Sequence, residues 1–321
     1  MAWIWFGIAV YLSLPTLVAA LMTVLYLWLK QNYVPYIKRI FQEVPYFNVP
    51  RGQPREGAES VVLRTSDGLK LLGCYLKTPK HRRGVILFGL EFGSNRWSCS
   101  AYCDHLLDAG YDVFTYEPRN QGESDCEPNL ELLPWPCDRD VTDASAAIAY
   151  LKSRADHDPL GVGLFGISKG AGAGILAARI EPYVRCAVID GMFSCTYTVV
   201  PYMRRWITIY DKSYFIQGLL PSWYYAILAR HAIREVGRER RVKYLDLENS
   251  LARFRRPVLM IHGQFDSYIY PDMSRRLFQM AREPKEYWLI PGAKHNQGLH
   301  VAPDEYRVRV REFFDKHLAA S

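Results

Sequence analysis

The sequence at residues 164–172 is LFGISKGAG, and it decides the fold predicted for the rest of the chain. Residues 162–167 are apolar, as in a buried strand, and residues 170–180 are mostly small and favour a helix. In the pattern Gly166-x-Ser168-x-Gly170, a serine on so tight a strand-to-helix turn has strained backbone angles and an exposed hydroxyl, and the glycines remove side chains that would clash. The helix also directs its first N–H groups towards the serine, where negative charge would develop. This context favours a nucleophilic role for Ser168 over an ordinary tight turn.

Strands and helices alternate on both sides of this turn. Strands are predicted at residues 61–65, 69–76, 85–88, 111–116, 162–167, 184–189, 258–262 and 286–290, and helices at 98–109, 138–153, 170–180 and 303–317. The alternation is typical of βαβ crossovers and predicts an α/β fold with a mostly parallel, doubly wound sheet. The first two strands are joined by Ser66-Asp67-Gly68, a hairpin signal, and should form an antiparallel edge.

One region, residues 194–256, is far longer than a usual helix-to-strand connection. Between residues 230 and 256 there are nine Lys or Arg residues against four acidic ones, a large part of the formal net charge of +7. Two compatible interpretations stay open: a packed helical subdomain with a solvated face, or a cap that lines an apolar substrate pocket and rests on anionic lipid headgroups. The first half of the region is aromatic, with Tyr197, Tyr202, Trp206, Tyr210, Tyr214, Phe215, Trp223, Tyr224 and Tyr225.

The first 29 residues contain no Lys, Arg, Asp, Glu or His. This apolar run exceeds the ~20 residues that cross a membrane, and aromatic residues lie near both its ends. A cleaved signal peptide is disfavoured because a basic amino-terminal region is missing and the apolar run is too long. We therefore predict a single-pass anchor at residues 1–30 and a juxtamembrane linker at 31–60. Basic residues after the span (Lys30, Lys38, Arg39) predict that the bulk of the protein is cytoplasmic.

The seven cysteines form no C-x-x-C pair and no Cys/His ligand cluster. An odd, scattered set is typical of free thiols in a reducing compartment, which agrees with a cytoplasmic domain. We therefore expect neither a disulfide framework nor a metal held by cysteine.

A serine nucleophile needs a base within hydrogen-bond reach and a third group that orients the base. A doubly wound sheet gathers its site at the carboxyl ends of its strands, and Asp266 and His295 lie in loops after the last two predicted strands. Asp190 is a rival for the acid, His300 competes weakly with His295, and Asp266 could instead cap a helix that begins near Tyr270. His262 is interpreted as a structural partner within its own turn.

The order Ser168, Asp266, His295 is that of the α/β-hydrolases, and residues 119–124, RNQGES, are similar to the R-G-x-G-x-S loop of that family. The loop departs from the family pattern at Asn120, where asparagine can replace glycine in a turn. On these motifs the chain resembles an α/β-hydrolase of the serine aminopeptidase/lysophospholipase-like group with an N-terminal anchor. The resemblance covers roughly residues 61–317 and implies a hydrolase core at 61–193 and 257–321, with the cap inserted at 194–256.

The resemblance implies that Ser168 is the nucleophile, Asp266 the acid and His295 the base, with the N–H groups of Phe92 and Lys169 as oxyanion donors. After the third strand the family usually has His-Gly, whereas this chain has Leu90-Glu91. A carboxylate in an oxyanion hole would oppose the forming charge. We therefore expect Glu91 to turn towards an arginine such as Arg96 or Arg119. Lys169 itself is expected at the surface, where its charge could help to hold an acidic substrate.

Three functions follow as hypotheses. The favoured one is a membrane-anchored, esterase- or lipase-like serine hydrolase that cleaves an ester, thioester or amide through an acyl-enzyme. It implies no metal or organic cofactor, a small-molecule or lipid-like acyl substrate, and no nucleic-acid partner. The alternatives are a catalytically degenerate fold that serves as a membrane scaffold or binding module, and an acyltransferase.

Overall fold

The computed structural model describes residues 2–44, 49, 51–210 and 221–319. Tyr214 and Phe215 of the predicted cap, and Pro45 and Pro50 of the predicted linker, lie outside these residues. The chain divides into two compact units. One contains Met1–Glu43 and Val199–Val236, and the other contains Val44–Thr198 and Gly237–Ser321.

The larger unit is built on an eight-stranded sheet with the order β1-β2-β4-β3-β5-β6-β7-β8. Its strands are β1 (Glu59–Arg64), β2 (Lys70–Leu76), β3 (Gly84–Gly89), β4 (Tyr111–Tyr116), β5 (Val162–Ile167), β6 (Val184–Asp190), β7 (Val258–Gly263) and β8 (Lys285–Ile290). The hairpin β1–β2 is antiparallel and β2 pairs antiparallel with β4, whereas the other pairs are parallel. This confirms the predicted fold class and its antiparallel edge.

Helices cover both faces of the sheet, because successive side chains of a strand point to opposite faces. The helices of the larger unit are α2 (Cys99–Asp108), α3 (Asp138–Ser153), α4 (Lys169–Ile180), α7 (Leu247–Arg253), α8 (Pro271–Met280), α9 (Gly298–Val301) and α10 (Pro303–His317). On one face, Leu87 of β3 belongs to the apolar cluster of α3, α4, α7 and α8. On the other face, Phe88 belongs to the cluster of α2 and α10. Both layers keep the ends of the parallel strands fixed.

Helix α1 (Ala2–Gln42) is 41 residues long and continues through residues 31–42, beyond the end of the predicted anchor. Two prolines lie inside it, Pro15 and Pro35. Its second half carries a buried stripe of Leu29, Val34, Ile37 and Phe41, which explains why the helix persists into a segment predicted as a linker. Within the described residues, one helical segment is long and apolar enough to cross a membrane, Tyr11–Gln42 of α1.

The insertion at residues 194–256 is mostly helical where the structure describes it. It contains α5 (Cys195–Tyr210), α6 (Ser222–Arg240) and α7. Most of α5 and α6 belongs to the same compact unit as α1.

Candidate active site

The Ser168 turn has the strained geometry that the sequence predicts. Ser168 lies between β5 and α4 with φ 52° and ψ −118°, a left-handed conformation that is rare for a residue with a Cβ. A Cβ on Gly170 would lie 2.4 Å from the carbonyl carbon of Gly89, and a Cβ on Gly166 would lie 2.4 Å from Cα of Ala171. Both glycines are therefore required for the close approach of backbone around Ser168.

The structure brings Ser168, His295 and Asp266 into one hydrogen-bonded chain. Ser168 Oγ lies 3.1 Å from His295 Nε2, and His295 Nδ1 lies 2.6 Å from Asp266 Oδ2. Because a carboxylate can only accept, Nδ1 carries the proton and its N–H donates a hydrogen bond to Asp266, which leaves the Nε2 lone pair facing the serine hydroxyl. This arrangement can remove a proton from Ser168.

Asp266 is oriented by the backbone of its own loop. Its Oδ1 accepts hydrogen bonds from the N–H groups of Tyr268 at 2.9 Å and Ile269 at 2.8 Å, so only Oδ2 is directed at His295. The alternative role as a helix cap is wrong, since α8 begins at Pro271 with Tyr270 as its N-cap residue. His262 Nε2 lies 2.7 Å from the carbonyl oxygen of Ile269, which supports its interpretation as a structural residue of this turn.

The side chains of the two rival residues have other surroundings, although the Asp190 carbonyl oxygen accepts a hydrogen bond from the Ser168 N–H at 2.8 Å. Asp190 ends β6 and is fully enclosed, and its Oδ2 accepts a hydrogen bond from Tyr306 Oη at 2.8 Å. Burial raises the pKa of the Asp190 carboxyl from 3.8 to about 7, although the Tyr306 hydroxyl and the His295 imidazole oppose this shift. His300 is exposed on α9. The carboxylate hydrogen-bonded to His295 Nδ1 is that of Asp266.

Lys169, expected at the surface, is buried with 5% of its area exposed. Its Nζ donates to the carbonyl oxygen of Leu133 at 3.0 Å and lies 3.0 Å from Asp140 Oδ1. The expectation is wrong because α3 and the loop before it cover this side chain, and Asp140 neutralises its charge. The Lys169 ammonium is therefore bound by Leu133 and Asp140 and is not free to hold an acidic substrate.

The proposed oxyanion donors lie on two adjoining segments. The N–H of Lys169 is in the first turn of α4, where a helix supplies no earlier carbonyl as a partner. The loop after β3 lies directly on this turn, because a Cβ on Gly170 would also meet the carbonyl oxygen of Leu90 at 2.4 Å. The Phe92 ring lies 5.3 Å from Lys169 Nζ. The assignment of Phe92 and Lys169 as donors stays a prediction.

Glu91 does not turn towards Arg96 or Arg119, so the expected partner is wrong. Its Oε2 instead accepts a hydrogen bond from Asn296 Nδ2 at 2.8 Å. Burial raises the pKa of the Glu91 carboxyl above its ordinary value, and the Asn296 amide and the His295 imidazole oppose that effect. The contact joins the loop after β3 to the loop that carries His295.

The two arginines are unavailable because each has carboxylates closer to it. Arg96 pairs with Glu117 at 2.8 Å and Glu123 at 2.7 Å. Arg119 is fully buried and pairs with Asp143 at 2.6 Å, and with two further carboxylates. The residue after it, Asn120, has φ 60°, which confirms that asparagine takes the turn position that the family pattern gives to glycine.

Replacing Glu91 by glutamine should reduce turnover by no more than ~10-fold, about 1.4 kcal/mol, because the glutamine oxygen can still accept from Asn296. Glu91→Ala removes that acceptor and should be the more damaging change. Steady-state kinetics of the two variants, with Asn296→Ala as the matched control on the other side of the bond, measure the effect. A large increase in turnover for Glu91→Gln would show that the carboxylate opposes the oxyanion and that the loop contact is secondary.

Aromatic side chains next to the base were not assigned a role from the sequence. The Tyr268 ring lies 6.0 Å from the His295 ring and the Phe193 ring 6.5 Å from it, between centroids. Phe193 also packs edge-to-face on Trp135 at 5.5 Å. A sequence signal was present, since both residues that contact His295 lie in loops that follow strands. These rings limit the access of water to the imidazole.

Metal binding has no support among the residues that the structure describes, which contain no group of three or more His, Cys, Asp or Glu side chains able to hold an ion. The seven cysteines are free thiols, and Cys126 is the exposed one.

Comparisons with known proteins agree with this architecture. The protein YqkD of Bacillus subtilis, which is uncharacterised, is 26% identical over 218 residues, or 67% of this chain and 65% of that protein. A thiohydrolase, apmlB of Arthrinium phaeospermum, is 31% identical over 134 residues, or 41% of this chain and 42% of that protein. The solved structure of the Pyrococcus furiosus esterase Pf2001 superposes with a TM-score of 0.62 at 21% identity, covering 85% of this chain and 98% of that one.

A model of the alpha/beta hydrolase family matches residues 89–309. The match begins at the end of β3 and includes the Ser168 turn, the insertion and the loops of Asp266 and His295. With this span, and with the sheet order and the strained serine turn described above, the chain belongs to the alpha/beta hydrolase family.

Proposed function

We propose that this protein is a membrane-anchored serine hydrolase that cleaves a carboxylic ester or thioester through an acyl-enzyme on Ser168. One observation carries the proposal: the hydrogen-bonded chain from Ser168 Oγ through His295 to Asp266, with the serine on a strained turn. A serine that only closed a turn would need neither a base at 3.1 Å nor a carboxylate behind that base.

In the first step His295 Nε2 takes the hydroxyl proton as Ser168 Oγ attacks the substrate carbonyl carbon. Asp266 stabilises the imidazolium that forms and holds the ring orientation. The carbonyl oxygen becomes an oxyanion, which the N–H groups of Phe92 and Lys169 stabilise. Collapse of this intermediate breaks the bond to the leaving group, which receives the proton from His295 Nε2.

Water completes the cycle on the acyl-enzyme. His295 Nε2 removes a proton from the water as its oxygen attacks the acyl carbon. The second oxyanion collapses with cleavage of the bond to Ser168 Oγ, which recovers its proton from the imidazolium. The products are a carboxylic acid and an alcohol or thiol, so the cycle is balanced without a cofactor.

The substrate class is narrowed by the surroundings of the base and by the relatives. Phe193 and Tyr268 place apolar surface beside His295, which suits an acyl chain better than a charged group. The relatives include an esterase and a thiohydrolase. An anchor through α1 keeps the enzyme beside a bilayer, which favours lipid-like esters and the lysophospholipase-like group.

A fluorophosphonate probe tests the proposal without knowledge of the natural substrate, because it reacts with an activated serine. We expect wild-type protein to be labelled at Ser168 and the Ser168→Ala variant to be unlabelled, as measured by gel fluorescence and by mass spectrometry of the modified peptide. A fold used only as a scaffold would leave wild type unlabelled. If labelling were absent from both wild type and Glu91→Gln, the scaffold alternative would replace the hydrolase.

A further inference from the structure

Helices α1 and α6 lie side by side within the smaller unit. Tyr224 Oη donates to the carbonyl oxygen of Met22 at 3.1 Å, and the Tyr26 ring lies 6.3 Å from the Tyr224 ring. Further along both helices, Lys38 Nζ lies 3.5 Å from Glu235 Oε2. The residue numbers of these contacts increase together along α1 and α6. The two helices are therefore parallel, with the start of α6 beside Met22.

The first half of α1 is exposed at the described positions 3–5 and 11–21, and exposed apolar side chains continue through Val24, Leu27 and Trp28. The buried stripe begins at Leu29, and the first charged side chain is that of Lys30. At 1.5 Å per residue, residues 11–28 span about 27 Å, close to the ~30 Å of a bilayer's hydrocarbon core. A membrane crossed by this segment ends near Trp28. The first turns of α6, beside Met22 and Tyr26, therefore lie at the edge of the hydrocarbon.

The outward face of α6 changes from apolar to basic along the helix. Trp223 is 57% exposed and Ile227 is 42% exposed, and Arg230 and Arg234 are exposed as well. Their spacings of four, three and four residues place all four on one face of the helix. The opposite face of α6 is formed by buried residues: Tyr224, Tyr225, Leu228, Ala229, Ala232 and Ile233.

We propose that the first turns of α6 enter the same bilayer as α1, with Trp223 and Ile227 at the acyl boundary and Arg230 and Arg234 at anionic lipid phosphates. The proposal rests on the membrane anchoring proposed above and adds a second contact to it. Tryptophan is favoured at the interface, and arginines are attracted to the phosphates of anionic lipids.

The order of residues along α6 fits the order of layers in a membrane. Trp223 lies next to the end of the exposed span of α1, and the arginines lie on the side of Lys38. Trp223 and Arg230 are separated by about 10 Å along the helix axis, comparable with the ~5–8 Å headgroup layer on one side of a bilayer. A protein partner would not require the change from apolar to basic residues along α6 to be aligned with the end of the membrane-crossing part of α1.

Single spin labels on the full-length chain in lipid nanodiscs test the proposal. In a Cys126→Ser background, which removes the exposed thiol, labels are placed by Trp223→Cys and Ile227→Cys. Leu17→Cys reports on the anchor, and Ile180→Cys, an exposed apolar position of the larger unit, is the aqueous control. Relaxation by oxygen measures contact with lipid, and relaxation by a soluble nickel chelate measures contact with water.

Labels at 223 and 227 should have an oxygen-to-nickel accessibility ratio several-fold above that at 180 and below that at 17. If the label at 17 is in lipid while those at 223 and 227 match the label at 180, the α6 contact is absent although the anchor is real. A label at 17 that is itself in water removes the anchor, and the proposal with it. Labels at 223 and 227 that are shielded from both reagents indicate a protein partner and overturn the proposal.

Charge reversal tests the arginines separately. The ratio at position 227 should be higher in nanodiscs with anionic phosphatidylglycerol than in pure phosphatidylcholine, and Arg230→Glu/Arg234→Glu should abolish this difference. The control Arg307→Glu/Arg311→Glu reverses two exposed arginines with the same spacing on α10 and should leave the difference intact. A difference that persists in Arg230→Glu/Arg234→Glu contradicts the role of the arginines.

Discussion

Ser168→Ala and His295→Ala should each reduce kcat for an activated ester such as p-nitrophenyl butyrate by ~10³-fold or more. The reason is geometric. His295 Nε2 is the base within reach of Ser168 Oγ, so the loss of either atom removes the same proton transfer and the same covalent step. Steady-state kinetics on purified protein in detergent or nanodiscs measure the effect.

The double variant separates this mechanism from two independent contributions. Because both side chains act in one step, Ser168→Ala/His295→Ala should be hardly slower than either single variant. Losses that multiply would mean that the two residues act separately. A Ser168→Ala protein that still turns over at the wild-type rate would remove Ser168 from the mechanism. His300→Ala is a control of the same residue type, since His300 is exposed, and should leave kcat unchanged.

The local parts of this site could be predicted from sequence because they depend on few neighbouring residues. The Ser168 turn needs one apolar strand, one helix of small residues and two glycines, all within residues 162–180. The loops of Asp266 and His295 follow adjacent parallel strands, and topology alone brings such loops to one edge of the sheet. That is why Asp266 and His295, which lie 98 and 127 positions after Ser168 in the chain, could be assigned without coordinates.

The partners of charged side chains could not be predicted, because they are set by tertiary proximity between distant loops. Glu91 and Asn296 are 205 residues apart in the chain, and no pattern in either loop indicates the other. Lys169 is buried for a similar reason, since Leu133 and Asp140 reach it from another segment. For Glu91, the nearest available partner in space replaces the arginine that charge alone suggests.

Helix boundaries show the same limit. The ends of α3 and α10 agree with prediction because polar residues and prolines mark them locally. Helix α1 instead passes the predicted boundary at residue 30, because its buried stripe from Leu29 to Phe41 is held by packing. Tertiary packing thus extended a helix through Pro35, where local propensity predicts a break.

Asp266→Asn should reduce kcat by up to ~10⁴-fold, as expected when the base is held in the wrong tautomer. Asp266 Oδ1 accepts from two backbone N–H groups, so an asparagine would keep its oxygen there and direct its NH₂ at His295 Nδ1. That NH₂ can only donate, which moves the imidazole proton to Nε2 and leaves no lone pair for Ser168. Kinetics of Asp266→Asn and Asp190→Asn, side by side, decide between the two acids.

Asp190→Asn should keep kcat within a few-fold and should change stability instead. The folded state holds the pKa of Asp190 at about 7, above the ordinary 3.8, so the protonated carboxyl favours folding below about pH 4 and this contribution is lost as the pH rises through 7. Asparagine does not ionise and can still accept from Tyr306. The free energy of unfolding of Asp190→Asn should therefore increase relative to that of wild type between pH 4 and pH 7, by at most about 4 kcal/mol. Denaturant unfolding at pH 5 and pH 8 measures this, and a large loss of kcat in Asp190→Asn beside a mild Asp266→Asn would make Asp190 the acid.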